Sequence, residues 1–263
     1  MNIRRTGILA AAVTAVLLLA GCSGSPAAEP TATQTEDSLS GDLTVYAAAS
    51  LSGAFDELAK EFTAAHPGVT VKPINYDGSS VLATQLIGGA PADVFASADE
   101  KNMAKVTDAG LAADPVDFAA NVMQIVTAPG NPKGITDLAS LTAKDLTVVL
   151  CAPEVPCGTA SQTLLKNAGV TLTPASEEQN VTAVLTKVKS GEADAGLVYV
   201  TDVKAAGDAV TGVDIEGADA ATNVYPIVAL KDAPNADAGA AFVAFVTGDK
   251  GRAVLAEFGF QAP

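Results

Sequence analysis

Leu43-Thr44-Val45-Tyr46-Ala47-Ala48-Ala49-Ser50-Leu51, followed by Phe55, Leu58, Ala59 and Phe62 at helical spacing, is the stretch that decides the fold. An apolar, strand-like run ends at Ala48, small residues turn the chain, and the apolar period then changes from that of a strand to that of a helix. The same unit recurs downstream. His66-Pro67-Gly68 stops the first helix, residues 69–76 alternate as a strand, and Asp77-Gly78-Ser79-Ser80 turns into a second helix carrying Leu82 and Leu86. Gly88-Gly89 ends that helix, and Ala90-Pro91-Ala92 leads to a short buried strand over 93–96. Ser97-Ala98-Asp99-Glu100 opens a third helix, with Ser97 and Glu100 at capping-box spacing.

Strands go on alternating with helices to the C-terminus, which predicts an α/β protein with mainly parallel sheets covered by helices on both faces. The segment 121–128 begins a second lobe that includes a strand over 146–150, a helix after Gly158, an amphipathic helix over 180–189 and a strand over 195–200. A strand near 224–230 and two helices, about 236–247 and 250–258, return to the first lobe. The expected division is 42–121 with 224–263 for lobe 1 and 122–223 for lobe 2, with crossing segments near 121–123 and 222–225.

The N-terminal residues are of another kind. Met1-Asn2-Ile3-Arg4-Arg5 precedes an apolar run over 8–20 that ends in Leu19-Ala20-Gly21-Cys22. The run falls short of the roughly 20 residues needed to cross a bilayer and has a basic start and a small-residue end, the pattern of an export signal over 1–21. It resembles a bacterial lipoprotein signal, in which Cys22 becomes the lipid-bearing first residue of an extracytoplasmic, membrane-anchored chain. Residues 22–41 are mainly Ser, Pro, Ala, Thr, Gln and Glu, too poor in large apolar side chains to offset their ordering entropy, and read as a disordered tether.

Charge and cysteine content narrow the function classes. The formal net charge of −15 becomes −17 when Arg4 and Arg5 leave with the signal, and such a chain does not bind nucleic acid by counterion release. The same field repels small anions at long range, so an anionic ligand must be held by donors inside a site. Cys151 and Cys157 remain beside Cys22; in an oxidising compartment such a pair is most simply a disulfide, with free thiols and then a metal site as the alternatives.

In open α/β sheets, ligands bind beyond the carboxyl ends of strands. Ser50, Ser79 and Ala98 each stand between an expected strand and its helix, where unpaired amides and the helix dipole favour an anion without any lysine or arginine. A pair of N-cap serines would look the same from spacing alone.

The runs Val45-Tyr46-Ala47-Ala48-Ala49-Ser50-Leu51, Gly78-Ser79-Ser80, Gly89-Ala90-Pro91-Ala92-Asp93-Val94-Phe95-Ala96-Ser97-Ala98-Asp99, Val155-Pro156-Cys157-Gly158 and Gly196-Leu197-Val198-Tyr199 resemble the periplasmic molybdate-binding proteins of ABC importers. The likeness extends from about Leu43 to the C-terminus. It implies the two-lobed periplasmic-binding-protein fold of type II with the ligand in the interlobe cleft. It also implies a tetrahedral oxyanion ligand, molybdate or tungstate, no cofactor, a monomer, and an ABC importer permease as partner. Carried over position by position, Ser50 and Ser79 donate through amide and hydroxyl, Ala98, Cys157 and Val181 through amides, and Tyr199 through its hydroxyl. Two positions depart from the family: Cys157 stands where alanine is common, and Gly78 where a third serine or similar residue is common.

Molybdate and tungstate carry no proton near neutral pH and suit a cage of donors only, each charge-assisted hydrogen bond returning about 1.5–3 kcal/mol. Phosphate keeps a proton and wants an acceptor, which none of the six positions supplies. Sulfate, the alternative ligand, is fully ionised and has to be excluded by size. A serine hydrolase would need a base beside Ser50 or Ser79, but the one histidine, His66, precedes Pro67 at a helix end. Asp93 reads as a strand-start turn residue and Asp99 as a helix cap, and no P-loop, zinc or dinucleotide pattern appears.

Overall fold

The computed structural model describes residues 39–263. In chain order the elements are β1 (Gly41–Leu43), β2 (Val45–Ala48), α1 (Ser52–Ala65), β3 (Val69–Val71), β4 (Asn75–Asp77), α2 (Ser79–Ile87), β5 (Val94–Ala96), α3 (Glu100–Asp108), β6 (Val116–Asn121) and β7 (Met123–Thr127). They continue with β8 (Val148–Cys151), α4 (Pro156–Asn167), β9 (Ser176–Glu178), α5 (Val181–Lys189), β10 (Ala195–Tyr199), α6 (Val200–Ala206), β11 (Thr211–Asp214), β12 (Asn223–Ala229), α7 (Ala236–Thr247) and α8 (Asp249–Phe258). A single 3-10 turn, Ala49–Leu51, leads from β2 into α1.

Two five-stranded sheets organise these elements, in the orders β4-β2-β5-β12-β6 and β11-β7-β10-β8-β9, and β1 pairs with β3 beside the first. The chain enters the second sheet at Met123 and re-enters the first at Asn223, which pairs with Asn121. Each sheet with its helices forms one α/β lobe. The sheets are mixed: β4-β2, β2-β5, β10-β8 and β8-β9 run parallel, while the strands next to the crossings, β6, β7, β11 and β12, pair antiparallel. Crossing from one lobe to the other turns the chain back on its neighbours, a geometry that alternation of strands and helices does not reveal.

Apolar stripes build the lobes as their spacing predicts. Phe55, Leu58 and Phe62 on α1 are buried against Phe242 of α7, with Phe62 and Phe242 edge to face at a centroid separation of 5.2 Å. In the second lobe, Val184 and Val188 of α5 and Leu164 of α4 close over Val149 and Leu197 of the sheet.

Several boundaries differ from the sequence reading, each for a local reason. The run 43–48 is broken at Thr44, whose N–H donates to Asp93 Oδ2 at 2.7 Å and whose carbonyl accepts Asp93 N–H at 2.8 Å. The run 69–76 splits into β3 and β4 around Pro73, which has no N–H to give a ladder. Gly41, assigned to the tether, already lies in β1 with its N–H on Gly68 O at 2.9 Å. Asn223, assigned to lobe 2, belongs to β12 of the first sheet. The N-cap of α3 is Asp99, which accepts Asn102 N–H at 2.8 Å, whereas Ser97 Oγ donates to Asp99 O, so Ser97 and Glu100 form no capping box. The signal over 1–21, the lipid site Cys22 and nearly all of the tether lie outside the described residues. Among the described residues no helix is long and apolar enough to cross a membrane.

Candidate functional site

Six strand-to-helix junctions, three from each lobe, line one small cavity. From the first lobe come the ends of β2 (Ala48, Ala49, Ser50), β4 (Asp77, Gly78, Ser79) and β5 (Ala98). From the second come the approaches to α4 (Val155, Pro156, Cys157) and α5 (Asn180, Val181) and the last residue of β10, Tyr199. The six residues singled out from the sequence, Ser50, Ser79, Ala98, Cys157, Val181 and Tyr199, therefore meet at one place, one at each junction.

The wall is rich in donors and has no lysine or arginine among its described residues. Ser79 and Val181 are the first residues of α2 and α5, and Cys157 is the second of α4, behind Pro156. First-turn amides have no acceptor within their own helix and carry the positive end of its dipole, so three such ends lining one cavity favour an anion there. The Ala98 amide is already engaged. Its N–H donates to Ser79 Oγ at 2.9 Å, while its carbonyl accepts Asn223 Nδ2 at 2.9 Å. Ala98 thereby acts through the serine, whose hydroxyl accepts that bond and keeps its own proton to donate. Ser50 Oγ shares a 3.0 Å hydrogen bond with the hydroxyl of buried Tyr225.

Tyr199 lines the wall and is 1 % exposed, and its hydroxyl lies beside that of Tyr225 without a hydrogen bond of good geometry. Burial, and then the nearby Tyr225, Asp99 and Asp202, hold its pKa well above the usual tyrosine value, so the group stays a neutral O–H donor. A buried hydroxyl without a partner is costly.

The α4 end is shaped by the chain around it. Cys151 and Cys157 are joined in a disulfide, and a Cβ on Gly158 would overlap the carbonyl oxygen of Ala152, so only glycine lets the helix start so close to the end of β8. The cavity is small, about 10 Å3. Such a space suits a small inorganic ion better than a sugar or a peptide.

Two wall residues were not legible in advance. Asp77 Oδ1 accepts both Gly78 N–H and Asn180 Nδ2, each at 2.8 Å, and Asn180 Oδ1 caps α5 by accepting Ala183 N–H at 2.9 Å. The sequence reading took the site to hold no acceptor, yet Asp77 puts a carboxylate on the wall, with one oxygen occupied by donors. A Cβ on Gly78 would overlap the carbonyl oxygen of Gln179, so the two lobes approach there at backbone distance.

Residues 43–261 match the model of the bacterial extracellular solute-binding protein family. This chain belongs to that family. The solute-binding protein is 47% identical over 259 residues to the molybdate-binding protein ModA of Mycobacterium tuberculosis, which covers 98% of this chain and 97% of that protein. The molybdate-binding protein ModA of Escherichia coli is 30% identical over 245 residues, covering 84% of this chain and 89% of its own length. Among solved structures, the periplasmic molybdate-binding protein of Azotobacter vinelandii superposes with a TM-score of 0.70 at 22% identity, over 84% of the solute-binding protein and 99% of that chain. It shares the two-lobed α/β fold.

Proposed function

We propose that this solute-binding protein captures molybdate, and with it tungstate, outside the cytoplasm and delivers the ion to an ABC importer. One observation carries the reading: among the described residues the cavity wall holds no lysine or arginine, and helix N-termini and neutral hydroxyls from both lobes line a space sized for a small ion. The 47% identical relative named as a molybdate-binding protein supports the choice of ion. The protein acts by binding and release, with no bond made or broken. Its lobes meet over the ion, and the closed form is what the importer reads. Lipid on Cys22 holds the monomeric domain at the membrane through the tether, in keeping with the signal-like residues 1–22.

Isothermal titration of the domain beginning near Gly41 with molybdate, tungstate, sulfate and phosphate tests the reading. Tight one-to-one binding of molybdate and tungstate, with sulfate and phosphate inert, is expected. Phosphate is the sharper control, because its proton could find Asp77. Preferred binding of sulfate or phosphate keeps the site and replaces the ligand, whereas no binding of any of the four overturns the function.

A further inference from the structure

Asp77 is the one carboxylate on the cavity wall, an unfavourable neighbour for an anion. Its Oδ1 is occupied from two directions: Gly78 N–H comes from its own lobe and Asn180 Nδ2 from the other, 103 residues away. Gly78 and Asn180 are the N-caps of α2 and α5, two of the helices whose first amides face the cavity. Asn180 is itself fixed by Ala183 N–H, and the bare backbone of Gly78 lets the lobes touch at that point.

We propose that Asp77 and Asn180 form a latch across the cleft, holding the α2 and α5 N-termini at the spacing in which both present donors to one small anion. Asp77 is thus a positioning residue that works through Asn180. A carboxylate makes a stronger acceptor than an amide or hydroxyl, which favours closure even though its charge opposes the ligand. The wild-type residue trades some attraction for the ion against a firmer closed form. The inference deepens the binding function proposed above and takes its ligand from it; the closure itself does not depend on which ion is bound.

Two comparisons at equal charge test the latch. Asn180→Ser retains an N-cap residue of similar rank and leaves the charge unaltered, but is too short to reach Asp77. Asp77→Ala and Asp77→Asn both remove the charge, and only the asparagine variant keeps an oxygen for Gly78 N–H and Asn180 Nδ2. Titration with molybdate should show Asn180→Ser weaker than the unaltered protein, and Asp77→Ala weaker than Asp77→Asn, each by about tenfold, the equivalent of one hydrogen bond. Small-angle scattering without added anion should show a larger radius of gyration for Asn180→Ser and Asp77→Ala than for their comparators. If the unaltered protein binds molybdate while both pairs agree within about twofold, the latch is wrong. If the unaltered protein binds none of the four oxyanions, the ligand assignment fails and scattering alone judges the latch: equal dimensions within each pair overturn it, and expanded ones support it.

Discussion

Tyr199 lines a cavity whose other groups are mostly donors, and its buried hydroxyl lies beside that of Tyr225 without a hydrogen bond of good geometry. A buried hydroxyl so poorly paired costs up to about 1–3 kcal/mol, which a charged acceptor would relieve. Tyr199→Phe should therefore raise stability by about 1 kcal/mol in denaturant unfolding while weakening molybdate binding roughly tenfold in titration. A gain in stability with unaltered affinity would remove the hydroxyl from the site. That Ser50, Ser79 and Ala98 line one cavity was legible from small residues at strand-to-helix turns, whereas Cys157, Val181 and Tyr199 came to notice only through the resemblance to molybdate-binding proteins. Asp77 and Asn180 were not legible, since nothing local marks two residues 103 apart as partners. Gly78 likewise looked like an exchanged serine until the carbonyl of Gln179 was seen to occupy the space of its Cβ.

The short helix α6 follows Tyr199 directly and is held to it by Asp202, whose Oδ2 accepts Tyr199 N–H at 2.9 Å. Burial pushes the Asp202 carboxyl up to about 7, against the lowering effect of that hydrogen bond. With its pKa raised on folding, the group is protonated in the native chain over a range where the unfolded chain has lost the proton. Its contribution to stability is thus fullest below about pH 4 and is lost as the pH climbs to about 7. Asp202→Asn keeps an oxygen for Tyr199 and cannot ionise. Its stability relative to the unaltered protein should rise between pH 4 and 7 and level off above, by on the order of 4 kcal/mol in total; melting curves that stay parallel across this range would show that Asp202 ionises freely. Elements with strong apolar periodicity were legible: α7 spans Ala236–Thr247, as expected, and α8 begins one residue before the expected start. The polar β9, Ser-Glu-Glu, was not, because its place comes from pairing with β8 and not from its own side chains. Nor were the antiparallel ladders at the crossings, which depend on where the chain leaves a lobe and not on the composition of the strands.

Binding a dianion to a chain of net charge −15 sets the local field of the site against the field of the whole molecule. The helix N-termini act within about a turn of the ion, whereas the excess of acidic side chains acts over roughly a Debye length, about 30 Å at 0.01 M salt and 8 Å at 0.15 M. An approaching oxyanion therefore meets repulsion first and attraction only at the mouth of the cleft. Salt screens the long-range part and leaves the buried donors almost untouched, so the association rate for molybdate should rise severalfold as sodium chloride goes from about 0.01 to 0.15 M, with the dissociation rate little altered. Stopped-flow measurement over that range reads both rates. This is the reverse of the salt dependence of a site that draws its ligand with lysine and arginine, where the association rate falls. A falling rate here would mean that the converging amides project a positive potential beyond the cleft and outweigh the net charge at a distance, so that steering as well as capture is built from backbone.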